Sequence, residues 1–422
     1  MPSSAAPTAT SDGALPSASV SPTRETLDAS QSVVTAPTST RPASLAPSSF
    51  PTPTVTPVLA PSTPAALHGW VERASFPGES LEVLVPGGPG LIAAGSRAST
   101  GDADPGDALV RLSADGSTWR SAVVEESSGG SIHAIRRVDG TYVALGTRHM
   151  GELDLRGAAW TSPDAERWTL VATLPQRFPI DIVQRDGRLL AVGTTLWWSD
   201  PTGFFVWSPD DLDRWGPARA IGAPDWFPGG FVADGVIATS GGYLAFGNVG
   251  GVIPALATLI WVGTSRDGLT WRFAQDQPSL ERAAFKAVVE RSDGYLAVGW
   301  ALTKDGSPAP AVWHSADGMT WARTLDPAAS ITGWLARAAI SDDRLLVRGA
   351  SDGSQAWRAV SWESHDGVEW TRLALGSDIP DVTGTMPSDP VTYGGQRLAV
   401  ATVPDGSSRP RAVVLAQGTI PR

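Results

Sequence analysis

One short string recurs through most of the chain and limits its architecture more than any other feature. It reads SADGSTW at 113–119, SPDAERW at 162–168, SPDDLDRW at 208–215, SRDGLTW at 265–271, SADGMTW at 315–321 and SHDGVEW at 364–370. The terminal tryptophans, Trp119, Trp168, Trp215, Trp271, Trp321 and Trp370, are spaced by 49, 47, 56, 50 and 49 residues. A period near fifty residues with strand-like content predicts the blades of a β-propeller. Between these boxes runs a second hairpin, as in IHAIRRVDGTYVALG, IDIVQRDGRLLAVG and FKAVVERSDGYLAVG. Each is a pair of alternating apolar runs about a glycine-containing turn. A unit therefore holds four strands, two around the first turn and two around the box.

Seven first hairpins can be counted, with inner strands beginning near Leu81, Ile132, Ile180, Val236, Phe285, Leu335 and Pro390. The seventh unit stops after its third strand, PRAVVLAQ. Its fourth is expected from the other end of the chain. GWVERASF at 69–76 resembles the post-box strands TWRSAVV and EWTRLAL, and Trp70 lies 49 residues before Trp119. Closing the ring in this way removes the open sheet edges that template aggregation. The expected fold is all-β, a seven-bladed propeller over 69–422.

Composition agrees with short strands and many turns: 45 Gly, 35 Pro and only 18% charged residues. Residues 1–68 differ sharply, being mostly Pro, Ser, Thr and Ala without hydrophobic periodicity. Such a segment buries too little apolar surface to offset its ordering entropy, and a disordered linker is predicted. A linker of this kind suits an exported or cell-surface protein. No apolar signal core precedes it, so the expectation is either export by other means or, the favoured reading, a start of the chain upstream of Met1. No run of about 20 apolar residues is present, so no membrane-spanning helix is predicted. The net charge is −11 and Lys occurs only at Lys286 and Lys304. An acidic surface without a basic stripe repels a phosphate backbone, which argues against nucleic acid as a partner. The chain has no cysteine, which excludes disulfides, thiolate catalysis and Cys-bound zinc. A monomer is expected.

The box has a physical rationale as a turn. Its Asp and Ser accept hydrogen bonds from turn N–H groups, its Gly permits positive φ, and its Trp packs between blades. It is read as a structural staple rather than a ligand site. On these residues the chain resembles the Asp-box, or BNR-repeat, propellers over 69–422. That group includes sialidases, other glycoside hydrolases, sorting receptors and non-catalytic assembly factors. The family box generally places one residue between Asp and Gly, whereas here Gly116, Gly268, Gly318 and Gly367 follow Asp directly. The resemblance therefore implies a fold and no particular enzyme subfamily.

Strand parity puts the short turns of every blade at one end and the long connections at the other. Long loops on a rigid scaffold are the expected place for binding. Of the eighteen tryptophans, twelve follow the repeat; Trp197, Trp198, Trp226, Trp300, Trp334 and Trp357 do not, and all map to the long-loop end. Aromatic plates there suit sugar rings or peptide side chains. Near the starts of inner strands stand Glu82, His133, Asp181, Lys286 and Arg337, a mixed polar set expected at the same mouth of the central channel. Glu82 and Asp181 are the carboxylate pair that a glycoside hydrolase would use. Sialidase chemistry is disfavoured. Tyr142, Tyr243 and Tyr295 share one repeat position, Tyr393 lies on the opposite face, and Arg337 alone makes no arginine triad. Asp102, Asp104 and Asp107 form a weak calcium candidate, read as a solvated acidic loop, and no cofactor is expected. The leading expectation is a non-catalytic propeller that binds a glycan or extended peptide on its Trp-rich long-loop face. A glycoside hydrolase and a protein-assembly scaffold are the alternatives.

Overall fold

The computed structural model describes residues 69–418 apart from 99–105, 152–153, 176, 196–202, 209–211, 223–230, 250–258, 276, 325–332, 342–343, 354–355, 375, 383–385 and 405–409. Seven blades of four antiparallel strands stand in a ring, as the repeat predicts, and Val123–Val124 adds a short parallel pair to the outer strand of blade 2. Their inner strands are Glu79–Gly87, Gly130–Val138, Phe178–Arg185, Phe231–Thr239, Ala283–Arg291, Gly333–Ser341 and Val391–Tyr393, in blades 1 to 7. The only helical element among the described residues is a 3-10 turn at Pro278–Leu280.

Ring closure occurs where the tryptophan spacing places it. Trp70–Pro77 pairs antiparallel with Pro410–Gln417, from Trp70 opposite Gln417 to Pro77 opposite Arg411. Trp70 is buried and its indole N–H donates to the Gly376 carbonyl at 2.7 Å. The Arg411 guanidinium reaches back to Glu72 and Ser75, both at 2.8 Å. The first and last described strands are thereby held in one sheet.

The box turns are built alike. In blade 5, Ser315 Oγ accepts the Gly318 N–H at 2.8 Å, and Asp317 Oδ1 accepts those of Met319 and Thr320 at 2.8 and 2.7 Å. Trp321 Nε1 then donates to the Gly318 carbonyl at 3.1 Å. Gly318 has φ of +72°, the left-handed region that glycine enters without steric cost. In blade 2 the same position is Ala165 at φ +68°, a strained residue that the surrounding bonds hold in place. Backbone N–H bonds also hold the box carboxyls low: Asp267 and Asp366 sit at about 2, against an ordinary 3.8. A carboxylate whose folded value is depressed stabilises the fold above 3.8 and loses that contribution as pH falls through about 2. Acid unfolding followed by circular dichroism is therefore expected to be shallower in the Asp267→Asn/Asp366→Asn variant, with its stability at neutral pH reduced.

The third-strand tryptophans supply the packing between layers. Trp160, Trp261, Trp313 and Trp362 are all but fully buried. Phe285 lies edge-on between Trp313 and Trp321, with centroids 4.9 and 5.0 Å away. Such contacts add to the area each ring buries.

One departure from regular strand pairing recurs and positions the functional residues. In blade 1, Leu81 faces Gly95 and Val83 faces Ala94, leaving Glu82 as an extra, bulged residue. The same shift leaves His133, Ile180, Asp234, Lys286 and Ala336 unpaired in blades 2 to 6. The facing residues are Gly95, Gly146, Gly193, Gly247, Gly299 and Gly349. A Cβ on these glycines would lie 1.8–2.3 Å from a backbone carbonyl oxygen of the inner strand, closer than atoms approach. The glycine that ends each second-strand motif, as in YVALG or YLAVG, is thus the steric requirement of the bulge. Blade 7 has Ala401 at the corresponding place, and its short inner strand carries no bulge.

Candidate functional site

Inner strands line the axis of a propeller, and the bulges lie near their starts, at the end where the long connections leave. Each bulge is the thirteenth residue before its facing glycine. Four of the six carry chemistry: Glu82, His133, Asp234 and Lys286. Asp181 and Arg337 stand one residue beyond the bulges of blades 3 and 6. Of the five polar residues expected at the mouth, Glu82, His133 and Lys286 are thus bulge residues, and Asp181 and Arg337 each follow one.

Asp234 was not among the expected residues. The sequence reading begins this inner strand near Val236. The structure corrects this: the strand runs Phe231–Thr239, and Asp234 sits inside it. The signal that finds it is Gly247, thirteen residues later.

Contacts at the mouth join neighbouring blades. Lys286 Nζ lies 3.0 Å from Asp234 Oδ1, and Asn248 also donates to Asp234. Arg136 of blade 2 lies 3.0 Å from Asp181 of blade 3, whose Oδ1 also accepts the Ile182 N–H at 2.9 Å. His133 Nε2 is 3.0 Å from the Pro179 carbonyl. Arg337 donates to the Pro387 carbonyl and lies 3.8 Å from Asp389. Glu82 makes no hydrogen bond or ion pair among the described residues. It presents surface to solvent, yet the surrounding blades desolvate its carboxyl.

Those surroundings shift the ionisations together. Burial pushes Glu82 up from 4.5, against the opposing charge of Arg337. Burial likewise raises Asp181 against Arg136, and Asp234 against Lys286. Burial lowers His133, with the Pro179 carbonyl opposing and Arg136 adding to the shift. Desolvation thus favours the protonated form of Glu82, Asp181 and Asp234 and the neutral imidazole of His133.

The remaining expected residues are placed as follows. Trp197, Trp198, Trp226, Asp102 and Asp104 lie outside the described residues. Trp300 is buried, at 8% exposure, and so presents no open plate. Trp334 is half-buried in the inner strand of blade 6, and Trp357 pairs with Asp352 in Ala356–Ser364. Asp107 opens the third strand of blade 1. Among the described residues no group of three or more acidic or histidine side chains is placed to hold a metal ion.

No family model matches the chain, and no curated protein matches it. Solved structures do. An α-L-arabinofuranosidase from Fusarium graminearum, in complex with an iminosugar inhibitor, is 12% identical with a TM-score of 0.42, over 80% of this chain and 92% of that one. A Penicillium chrysogenum α-L-arabinanase complexed with arabinobiose is 14% identical with a TM-score of 0.39, over 66% and 91%. A structure titled glycoside hydrolase is 12% identical with a TM-score of 0.41, over 85% and 93%. The expectation of a non-catalytic binding propeller is corrected here. The structures the chain resembles are an α-L-arabinofuranosidase, an α-L-arabinanase and a glycoside hydrolase, and the likeness is one of fold. At such identities and TM-scores the likenesses assign no residue roles, which rest on this chain's own geometry.

Proposed function

We propose that the protein is a glycoside hydrolase acting at the bulge-lined mouth of its channel. The observation that carries this reading is Glu82: an unpartnered carboxyl, raised by burial, on the same strand position as three other polar bulge residues. It is suited to protonate the leaving glycosidic oxygen. Asp181 is the second carboxylate. Arg136 at 3.0 Å opposes the effect of burial on Asp181 and supplies the counter-charge for the ionised form that assists attack at the anomeric carbon. The Asp234–Lys286 pair offers both an acceptor and a donor to substrate hydroxyls. Carbohydrate outside the cell is the substrate class an exported protein would meet.

The test is sugar release from a panel of aryl pentosides and hexosides, arabinan and xylan. Glu82→Gln and Asp181→Asn are each expected to lower kcat by roughly 10²–10⁴-fold. Turnover should also fall with rising pH as Glu82 loses its proton above its ordinary value of 4.5. No turnover of any panel member by the wild type, or an undiminished rate in Glu82→Gln, would remove this reading.

A further inference from the structure

The hydrogen bond between His133 and Pro179 determines more than the position of the ring. A carbonyl oxygen can only accept, so Nε2, 3.0 Å away, must carry the proton. Burial and the neighbouring Arg136 charge keep the imidazole neutral. A neutral ring protonated at Nε2 has an unprotonated Nδ1, which is an acceptor and nothing else. Nδ1 has no partner among the described residues, and His133 is the half-buried bulge residue beside Glu82 in the ring of blades. Nδ1 is not one of the enclosed polar atoms left without a partner, so water reaches it in the free protein and a ligand hydroxyl can take that water's place. The groups around it sort what that donor can be. Arg136 is already paired with Asp181.

We infer that His133 is a specificity residue whose Nδ1 accepts a hydrogen bond from a hydroxyl of the bound sugar. This deepens the hydrolase reading and rests on it. A ligand with hydroxyls satisfies Nδ1, whereas a deoxy analogue leaves it bare. The ring is locked by blade 3 through Nε2, so the acceptor is positioned before the sugar arrives.

Two substitutions separate this role from a structural one. His133→Gln places a donor near the Nε2 position and keeps the bond to Pro179, but offers no acceptor where Nδ1 was. His133→Asn places an acceptor near Nδ1 and gives up the bond to Pro179. Calorimetric binding of arabinobiose, xylobiose and lactose, with nitrogen-15 NMR of the His133 ring, reads the difference. The expected result is the Nε2–H form in the free protein and an Nδ1 shift with at least one sugar. Affinity for that sugar should drop roughly ten- to hundred-fold in His133→Gln and less in His133→Asn. An Nδ1–H form or an imidazolium at neutral pH overturns the inference. So does sugar affinity in His133→Gln equal to that of the wild type. Aryl glycoside turnover unaffected by His133→Gln overturns it while leaving the hydrolase reading intact. Neither binding nor turnover in the wild type overturns both.

Discussion

Removing residues 69–77 is expected to abolish the folded protein. The deletion strips the outer strand from blade 7 and exposes the edge of Pro410–Gln417, whose paired register spans Arg411 to Gln417. It also removes Trp70, which is buried against that blade and bonded to the Gly376 carbonyl. Loss of one buried tryptophan alone costs about 3–5 kcal/mol. Native domains are stable by only about 5–15 kcal/mol. An exposed edge of apolar β-strand adds an aggregation route. Size-exclusion chromatography and thermal melting measure the outcome, and a synthetic peptide of sequence GWVERASFP should restore the wild-type elution and melting by strand addition. A deletion variant that elutes as the wild type does, with an unchanged Tm, would refute closure by this strand.

The second large effect is expected at the glycines facing the bulges. A Cβ at Gly299 would lie 1.8 Å from the Ala284 carbonyl oxygen. The obstruction is backbone on both sides, so no side-chain rotation relieves it. Gly299→Ala must therefore separate the first two strands of blade 5 or flatten the bulge, at a cost of about 3 kcal/mol or more. Flattening the bulge also withdraws Lys286 from Asp234, so stability and turnover should fall together. The matching control is Ala401→Gly in blade 7, where the inner strand is short and unbulged. There the change should cost no more than about 1 kcal/mol. Urea unfolding midpoints compare the two. A Gly299→Ala protein as stable as the wild type would mean that the bulge is incidental to the blade.

The architecture was legible because the propeller writes the same physical demands into every unit. A box needs Ser and Asp acceptors, a residue tolerant of positive φ and an indole that returns a hydrogen bond, and these recur at countable intervals. Closure was legible through Trp70 because the missing strand carries the same tryptophan as its counterparts. The candidate site was partly legible. Glu82, His133, Asp181, Lys286 and Arg337 stood out as polar residues in apolar strands. Asp234 did not, because Asp-Gly imitates a turn and only the register with Gly247 shows that the chain continues straight through. The repeated glycine itself was visible but unexplained until the bulge supplied its reason. The tryptophan reading failed for Trp300, since composition cannot separate an exposed plate from a buried plug. Aromatic residues satisfy either role, and only packing distinguishes them.

The central claim is that inner-strand bulges bring Glu82 into a desolvated mouth shared with Arg337, five blades further along the chain. Carbon-13 NMR titration of the Glu82 carboxyl in the wild type and in Arg337→Gln tests it without reference to any substrate. The account predicts a midpoint above 4.5 in the wild type and a further rise when Arg337 is removed, because that charge opposes the effect of burial. A midpoint at or below 4.5, or one indifferent to Arg337, would contradict it.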